Sequence, residues 1–238
     1  MNGRFKEIVR DLTPPYFLKI ALRIYRGKYL ASDQLDKKLQ KYLNYDNGFF
    51  VELGANDGMV ASNTYYFEKH KKWRGVLIEP CPNKFIECKK NRSVENTFFC
   101  AACVSFGFSE EFVKMAYSDY MSSSLNVESD VENPWEHAKW GEKYLSKNEN
   151  VFVFGAKAET LNNLLLIAPA PVHIDFLSLD VEGAELEVLK GVDHDKFRFK
   201  YMLVECRNFD RLNDFLEMNR YSFLEKLSKH DYLFKSQI

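Results

Sequence analysis

Short apolar runs alternate with longer amphipathic stretches along most of this chain, and turn residues bound each run. "FFVEL", starting at Phe49, predicts a short buried strand. The glycine-spaced loop "GANDG" follows, and the pattern from Met59 to His70 predicts a helix. "RGVLIEP" predicts a second strand, "PNKFIECKKNR" a second helix and "NTFFCAACVSF" a third strand. This rhythm with short links predicts a parallel, doubly wound α/β sheet. "VHIDFLSLDVEGAELEVLKGV" repeats the first theme of apolar strand, terminal acid, glycine and helix. "FKYMLVECR" predicts one more buried strand and "DRLNDFLEMNR" a helix. "YSFLEKL" and "YLFK", joined by "SKHD", predict a C-terminal antiparallel hairpin.

Two regions depart from the rhythm. Between "EFVKMAY", which suits a strand, and "VFVFGAKAETLNNLLLI", which suits a strand and a helix, residues 118–150 are polar, serine-rich and long. That length in a compact domain indicates a lid, a binding loop or disorder. The first thirty residues carry Arg4, Lys6, Arg10, Lys19, Arg23, Arg26 and Lys28 against only Glu7 and Asp11. There "PPYFLKIALRIYRGKYL" predicts a helix with prolines at its start and Gly27 at its end, and "ASDQLDKKLQKYL" predicts a second. The expected organisation is an N-terminal helical appendage over 1–45 and one domain over 46–238. The basic helix suits either peripheral contact with anionic lipid at the inner face of a membrane or docking on the main domain, the more frequent use of such a stripe.

The chain has 238 residues, 46% hydrophobic and 28% charged, enough for one full core. A formal net charge of -1 indicates no global pull toward nucleic acid, so none is expected as a partner. Cys100 and Cys103 form a lone CxxC within a predicted strand, where positions three apart face opposite ways; buried thiols are the expected reading of the five cysteines. No uninterrupted apolar leader and no run of 18 apolar residues is present, so a cytoplasmic protein is expected.

Four predicted strands end in an acid: Glu52, Glu79, Asp180 and Glu205. In an open α/β sheet the ligand crevice lies beyond those carboxyl ends. Glu79, closing the strand after the glycine loop, is placed to accept both hydroxyls of a ribose. The dinucleotide pattern GxGxxG is absent, however. Gly54, Asn56 and Gly58 give G-x-N-x-G, and Glu52 and Asp57 would repel a pyrophosphate. An adenosyl cofactor bearing an ammonium and a sulfonium, S-adenosylmethionine, fits that charge better than NAD.

"FFVELGANDGMVAS", "GVLIEPCPNKF", "AACVS" and "IDFLSLDVEGAELEVLKGV" together resemble the FkbM family of S-adenosylmethionine-dependent methyltransferases. The resemblance runs from about Gly48 to the C-terminus. It implies the class I methyltransferase (Rossmann-like) fold, a mostly parallel seven-stranded sheet with helices on both faces and a terminal antiparallel hairpin. It also implies roles by position. Glu52, Gly54, Ala55, Asn56, Asp57 and Gly58 would line the methionine portion of the cofactor. Ser62 and Asn63, early in the next helix, would reach its carboxylate. Glu79 would take the ribose, with Pro80 and Cys81 beside the adenine and Ala101 and Ala102, closing the third strand, along its edge. Asp180 would sit near the methionine amine and the methyl group. Ser124, in the Ser122–Ser124 run, would lie over the site. The family further implies O-methylation of a carbohydrate hydroxyl in surface-polysaccharide or other glycan assembly; a polyketide or lipid acceptor and a non-catalytic scaffold are the alternatives.

A sugar hydroxyl is a poor acid and needs a base or a metal. Asp180 and Glu205 end strands expected to be adjacent, and two hard oxygens there could hold Mg²⁺, although Cys206 beside them suits magnesium poorly. The candidate base is His137, in "NPWEHAKWG" of the long loop. Trp135 and Trp140 could stack on a sugar ring. Glu182 and Glu185 read as acids of a helix's first turn, with Glu182 a candidate for the pocket.

Overall fold

A computed structural model describes residues 27–146 and 149–238. In chain order the helices are α1 (Leu35–Leu39), α2 (Tyr65–Lys71), α3 (Pro82–Asn91), α4 (Pro134–Trp140), α5 (Leu161–Ile167), α6 (Glu185–Leu189) and α7 (Phe209–Met218). The strands are β1 (Phe49–Leu53), β2 (Arg74–Ile78), β3 (Thr97–Phe99), β4 (Ala102–Val104), β5 (Phe112–Tyr117) and β6 (Ser123–Ser124). They continue with β7 (Phe152–Thr160), β8 (His173–Leu179), β9 (Arg198–Glu205), β10 (Tyr221–Lys226) and β11 (Asp231–Ser236). The basic helix expected before Gly27 lies outside the described residues.

Seven strands form one sheet in the order β10-β11-β9-β8-β1-β2-β3. Strands β3, β2, β1, β8 and β9 are parallel, and β11 runs antiparallel to both β9 and β10. Side chains alternate between two packed layers, as period-2 geometry requires. Val51, Leu53, Val76, Ile78, Met202 and Val204 face a core with Leu161, Leu165, Leu189 and Leu216 of α5, α6 and α7. Phe50, Leu77, Phe176 and Leu203 face the opposite core, with Leu35 and Leu39 of α1, Phe67 of α2 and Cys88 of α3. A sheet covered on both faces explains why its strands read as continuous apolar runs.

Three sequence expectations change. The helix expected over Met59–His70 begins only at Tyr65, because residues 62–64 wrap the carboxylate of Glu52. "NTFFCAACVSF" is two strands in two sheets. β2 ends at Ile78 opposite Phe99, so the chain beyond has no further partner in that sheet, and β4 crosses to pair, again in parallel, with β7. That second sheet, β4-β7-β5-β6, carries part of the long segment, which is not one irregular loop. It also contains α4, whose start follows a local signal. The Asn133 side chain accepts from the Glu136 N–H at 3.2 Å and Pro134 occupies the first turn. Among the described residues no helix is long and apolar enough to cross a membrane.

Far from the carboxyl ends of the parallel strands, His194 is buried against Tyr221 and Phe215. Its Nε2 lies 3.0 Å from the Leu189 carbonyl, and Nδ1 is buried without a partner. Burial, helped by the nearby Arg198 guanidinium, lowers its pKa from 6.5 to about 4. The unfolded chain therefore takes up this proton first as pH falls. The stability that a neutral His194 contributes is complete above 6.5 and lost between 6.5 and about 4. Chemical denaturation at pH 7.5 and 5.0 should show the wild type losing about 2 kcal/mol more than His194→Gln; equal losses would refute this.

Candidate active site

The carboxyl ends of the parallel strands open onto a cavity of about 1080 Å³, and Glu52, Glu79, Asp180 and Glu205 all line it. Their surroundings divide them into different chemistries.

Glu52 is tied down completely. Its carboxylate accepts from Ser62 Oγ at 2.9 Å, the Asn63 N–H at 3.1 Å and Thr64 Oγ1 at 2.6 Å, and Arg92 Nη1 lies at 3.1 Å. The Arg92 side chain is wholly buried at the end of α3. It also donates to Glu68 at 2.7 Å, to the Gly58 carbonyl at 3.1 Å and to Thr64 at 2.9 Å. Burial pushes the Glu68 carboxyl up, and Arg92 together with Lys69, 2.8 Å away, outweighs this and holds it below its usual range. Glu52 is thus a neutralised anchor for the loop carrying Ser62 and Asn63, which precedes the helix rather than opening it.

Both loop glycines pack closely against the protein itself, and Gly54 also lines the cavity. At Gly54, with φ +73°, a Cβ would fall 1.8 Å from the Asp180 carbonyl oxygen, so the first loop can sit against the end of β8 only without a side chain. At Gly58, with φ +74°, it would meet Cys88 and Arg92. Gly58 and Asp57 do not line the cavity. Asp57 caps the turn instead, its Oδ1 accepting from the N–H groups of Met59 and Val60, both at 2.8 Å. Of the two acids expected to make the surroundings negative, Asp57 does not line the cavity, and Glu52 lines it paired with Arg92.

Glu79 keeps accepting capacity. Oε2 receives the Asn56 N–H at 2.7 Å and Oε1 the Cys81 N–H at 2.8 Å, leaving each oxygen further lone pairs. Burial raises its pKa against those two donors. Ala55, Asn56, Pro80, Ala101 and Ala102 line the same end of the cavity. Ala101 and Ala102 do so from the crossing between the two sheets, not from the end of β3. Cys81 does not line it. Its side chain packs with Tyr117 and Leu145, and burial pushes its thiol pKa well up. Three lining residues keep a buried polar atom with no hydrogen-bond partner in the protein, Asn63 Oδ1, Ser124 Oγ and Arg207 Nη1. Such atoms are costly unless something else satisfies them.

Asp180, Glu182 and Glu205 converge, each offering an oxygen within 4.8 Å of the others. Burial and the neighbouring carboxylates of Glu205 and Glu182 push the Asp180 pKa well up. His137 is on α4, not in a loop, and its Nε2 lies 2.6 Å from Glu182 Oε2. The same oxygen accepts from Arg207 Nη2 at 3.1 Å. Glu185 points away and accepts from the N–H groups of Val181 and Gly183, pinning the acid-bearing turn; burial moves its pKa to about 8. Trp135 and Trp140 do not line the cavity, and Trp140 is 74% exposed.

Arg92, Arg207 and Asp119 were not singled out from sequence. Each is a charged residue in a polar stretch, where a solvated face is the ordinary reading. Asn91–Arg92 at a helix end gave no sign of burial.

The order and directions of the seven strands define the class I methyltransferase fold. The METTL16 MTase domain shares it, with a TM-score of 0.50 and 13% identity covering 100% of this chain and 83% of that one. Residues 52–234 match the family model described as "Methyltransferase FkbM domain", and the chain belongs to that family. Methyltransferase 1 of Beauveria bassiana (strain ARSEF 2860) is 25% identical over 154 residues, covering 63% of this chain and 60% of that protein. The match thus spans about three fifths of that relative's own length.

Arg92→Met should cost about 3–5 kcal/mol, because it leaves the buried Glu52 carboxylate without its cation and removes one of the two cations on Glu68. Urea unfolding of the variant checks this, and a loss under 1 kcal/mol would contradict the anchoring role.

Proposed function

We propose that this protein is an S-adenosylmethionine-dependent O-methyltransferase whose acceptor is a carbohydrate hydroxyl, as in the assembly of a surface polysaccharide or other glycan. Family membership supports methyl transfer. The observation that carries acceptor chemistry is the His137–Glu182–Arg207 chain beside Asp180 and Glu205, within one cavity with Glu79.

The donor half suits an adenosyl group. Glu79 would accept the two ribose hydroxyls, with Pro80, Ala101 and Ala102 flanking the base. The unpartnered Asn63 Oδ1 and Ser124 Oγ would be satisfied by polar atoms of the donor. Asp180 would lie toward the amine and sulfonium end, where acids favour a cation. When bound, S-adenosylmethionine supplies a methyl group already activated on sulfur. The chain's task is then to align the acceptor oxygen and take its proton. With Nε2–H donated to Glu182, His137 Nδ1 is the nitrogen left to accept that proton. Glu182 steadies the resulting imidazolium, and Arg207 fixes Glu182.

The three clustered oxygens favour one second reading, Mg²⁺ held by Asp180 and Glu205. Against it, Glu182 Oε2 is occupied by His137 and Arg207. Cys206, buried with its thiol pushed up to about 12, offers no thiolate.

Radiolabelled methyl transfer should enter the glycan fraction of a cell extract; label confined to protein or RNA would overturn the acceptor class. His137→Gln should lower kcat by about 10²–10⁴ with affinity for S-adenosylhomocysteine unchanged. Excess EDTA should leave turnover within twofold, whereas loss restored by Mg²⁺ would replace the base with the metal. Glu79→Gln should weaken S-adenosylhomocysteine binding at least about tenfold in calorimetry, the loss of one charge-assisted hydrogen bond; unchanged binding would rule out its ribose role.

A further inference from the structure

One carboxylate joins three segments around the donor half of the cavity. Asp119 begins the short turn Asp119–Met121 of the insertion, between β5 and β6. Its Oδ1 accepts from Asn56 Nδ2 at 3.0 Å and lies 2.7 Å from Lys84 Nζ. Asn56 belongs to the glycine loop and donates its backbone N–H to Glu79. Lys84 belongs to the first turn of α3, immediately after Glu79–Cys81. The side chains of Lys84 and Asp119 are only 12% and 11% exposed. Burial works against the charge of Lys84, and Asp119 outweighs it, raising the lysine pKa.

Both Asn56, with φ 45°, and Asp119, with φ 53°, hold left-handed backbone. Residues other than glycine adopt it uncommonly, and asparagine and aspartate tolerate it best. Two such residues bonded to each other indicate that the contact is built in. The same seam is closed beside them by Asn83 Nδ2 donating to Tyr117 Oη at 3.1 Å and by Cys81 packing on Tyr117. Asp119 and Asn56 both line the cavity next to Glu79.

We infer that Asp119 is a positioning residue for the methyl donor: by clasping Asn56 and Lys84 it docks the insertion on the glycine loop and fixes Glu79 before the donor arrives. This rests on the reading that the donor half takes S-adenosylmethionine. Without the carboxylate, Lys84 becomes a nearly buried cation without its partner and Asn56 donates at most to a neutral acceptor. The insertion would then part from the loop, and the ribose acid would lose its preset geometry. Donor affinity should suffer, while the acceptor side, built on α4 and the ends of β8 and β9, should not.

The test is titration calorimetry with S-adenosylhomocysteine on the full chain, together with steady-state kinetics. Asp119→Asn and Lys84→Gln should each weaken binding at least tenfold. KM for S-adenosylmethionine should rise in proportion, kcat at saturating donor should stay within threefold, and Asp119→Glu should recover part of the affinity. Binding within twofold of wild type, with only the melting temperature lowered, would overturn the inference and leave Asp119 a structural latch. If Asp119→Asn does not fold, Lys84→Gln, which keeps the Asn56 contact, decides by the same criteria. A wild type that does not bind S-adenosylhomocysteine would overturn the donor reading and the inference with it. Tight wild-type binding with unaffected variants would overturn the inference alone.

Discussion

The Arg92 guanidinium, sealed between Glu52 and Glu68, is the contact on which the cavity's floor depends. A buried cation holding two carboxylates, two hydroxyls and a carbonyl leaves its neighbours little freedom. Removing one partner of such a network leaves charge in a low dielectric, which costs far more than the pair contributes over an apolar substitute. The network therefore fixes where residues 58–64 run. That path places Ser62 and Asn63 on the cavity wall and delays the start of α2 to Tyr65. Helix propensity just before Tyr65 is overridden because the Ser62 and Thr64 side chains and the Asn63 N–H are occupied with Glu52.

The acids at the strand ends share a location but not a function. Glu52 is neutralised by a cation and three donors. Glu79 is bonded to two backbone N–H groups but open to more, as suits the recognition of hydroxyls. Asp180 is pressed by burial and by like charge, and the negative field near it comes from Glu205 and Glu182. On the proposed reading, a cationic donor end would be drawn toward the β8–β9 side of the cavity. Gly54 of the glycine loop, in turn, lets the chain leaving β1 lie against the end of β8. It helps to bring the carboxylates of the two halves into one space.

The second sheet and α4 supply what the main sheet lacks. Five parallel strands and a hairpin form a cleft open on one side. The insertion covers it with Val113, Met115, Ser124 and His137. Its attachment is electrostatic at both ends: Asp119 meets Lys84 near Glu79, and His137 and Asp130 meet the Glu182–Arg207 pair near Asp180. Charged contacts at two separate points add to the apolar ones, Cys103 in the main core and Cys81 against Tyr117, in holding the lobe in register.

Strand alternation, the acids closing "FFVEL", "RGVLIE", "FLSLD" and "MLVE", and the C-terminal hairpin were legible because each is a local pattern. Periodicity and chain direction suffice to say that four carboxylates gather along one edge of a parallel sheet. Which of them stays available could not be read locally, because neutralisation depends on partners far along the chain. Arg92 is 40 residues from Glu52, and His137 is 45 from Glu182. The break in "NTFFCAACVSF" was hidden for the same reason, since a strand ends where its neighbour ends. The sequence alone determined the architecture and the rim of acids; only the tertiary structure decided which acid anchors, which accepts and which confronts another, because charge in a folded interior is set by whatever packs against it.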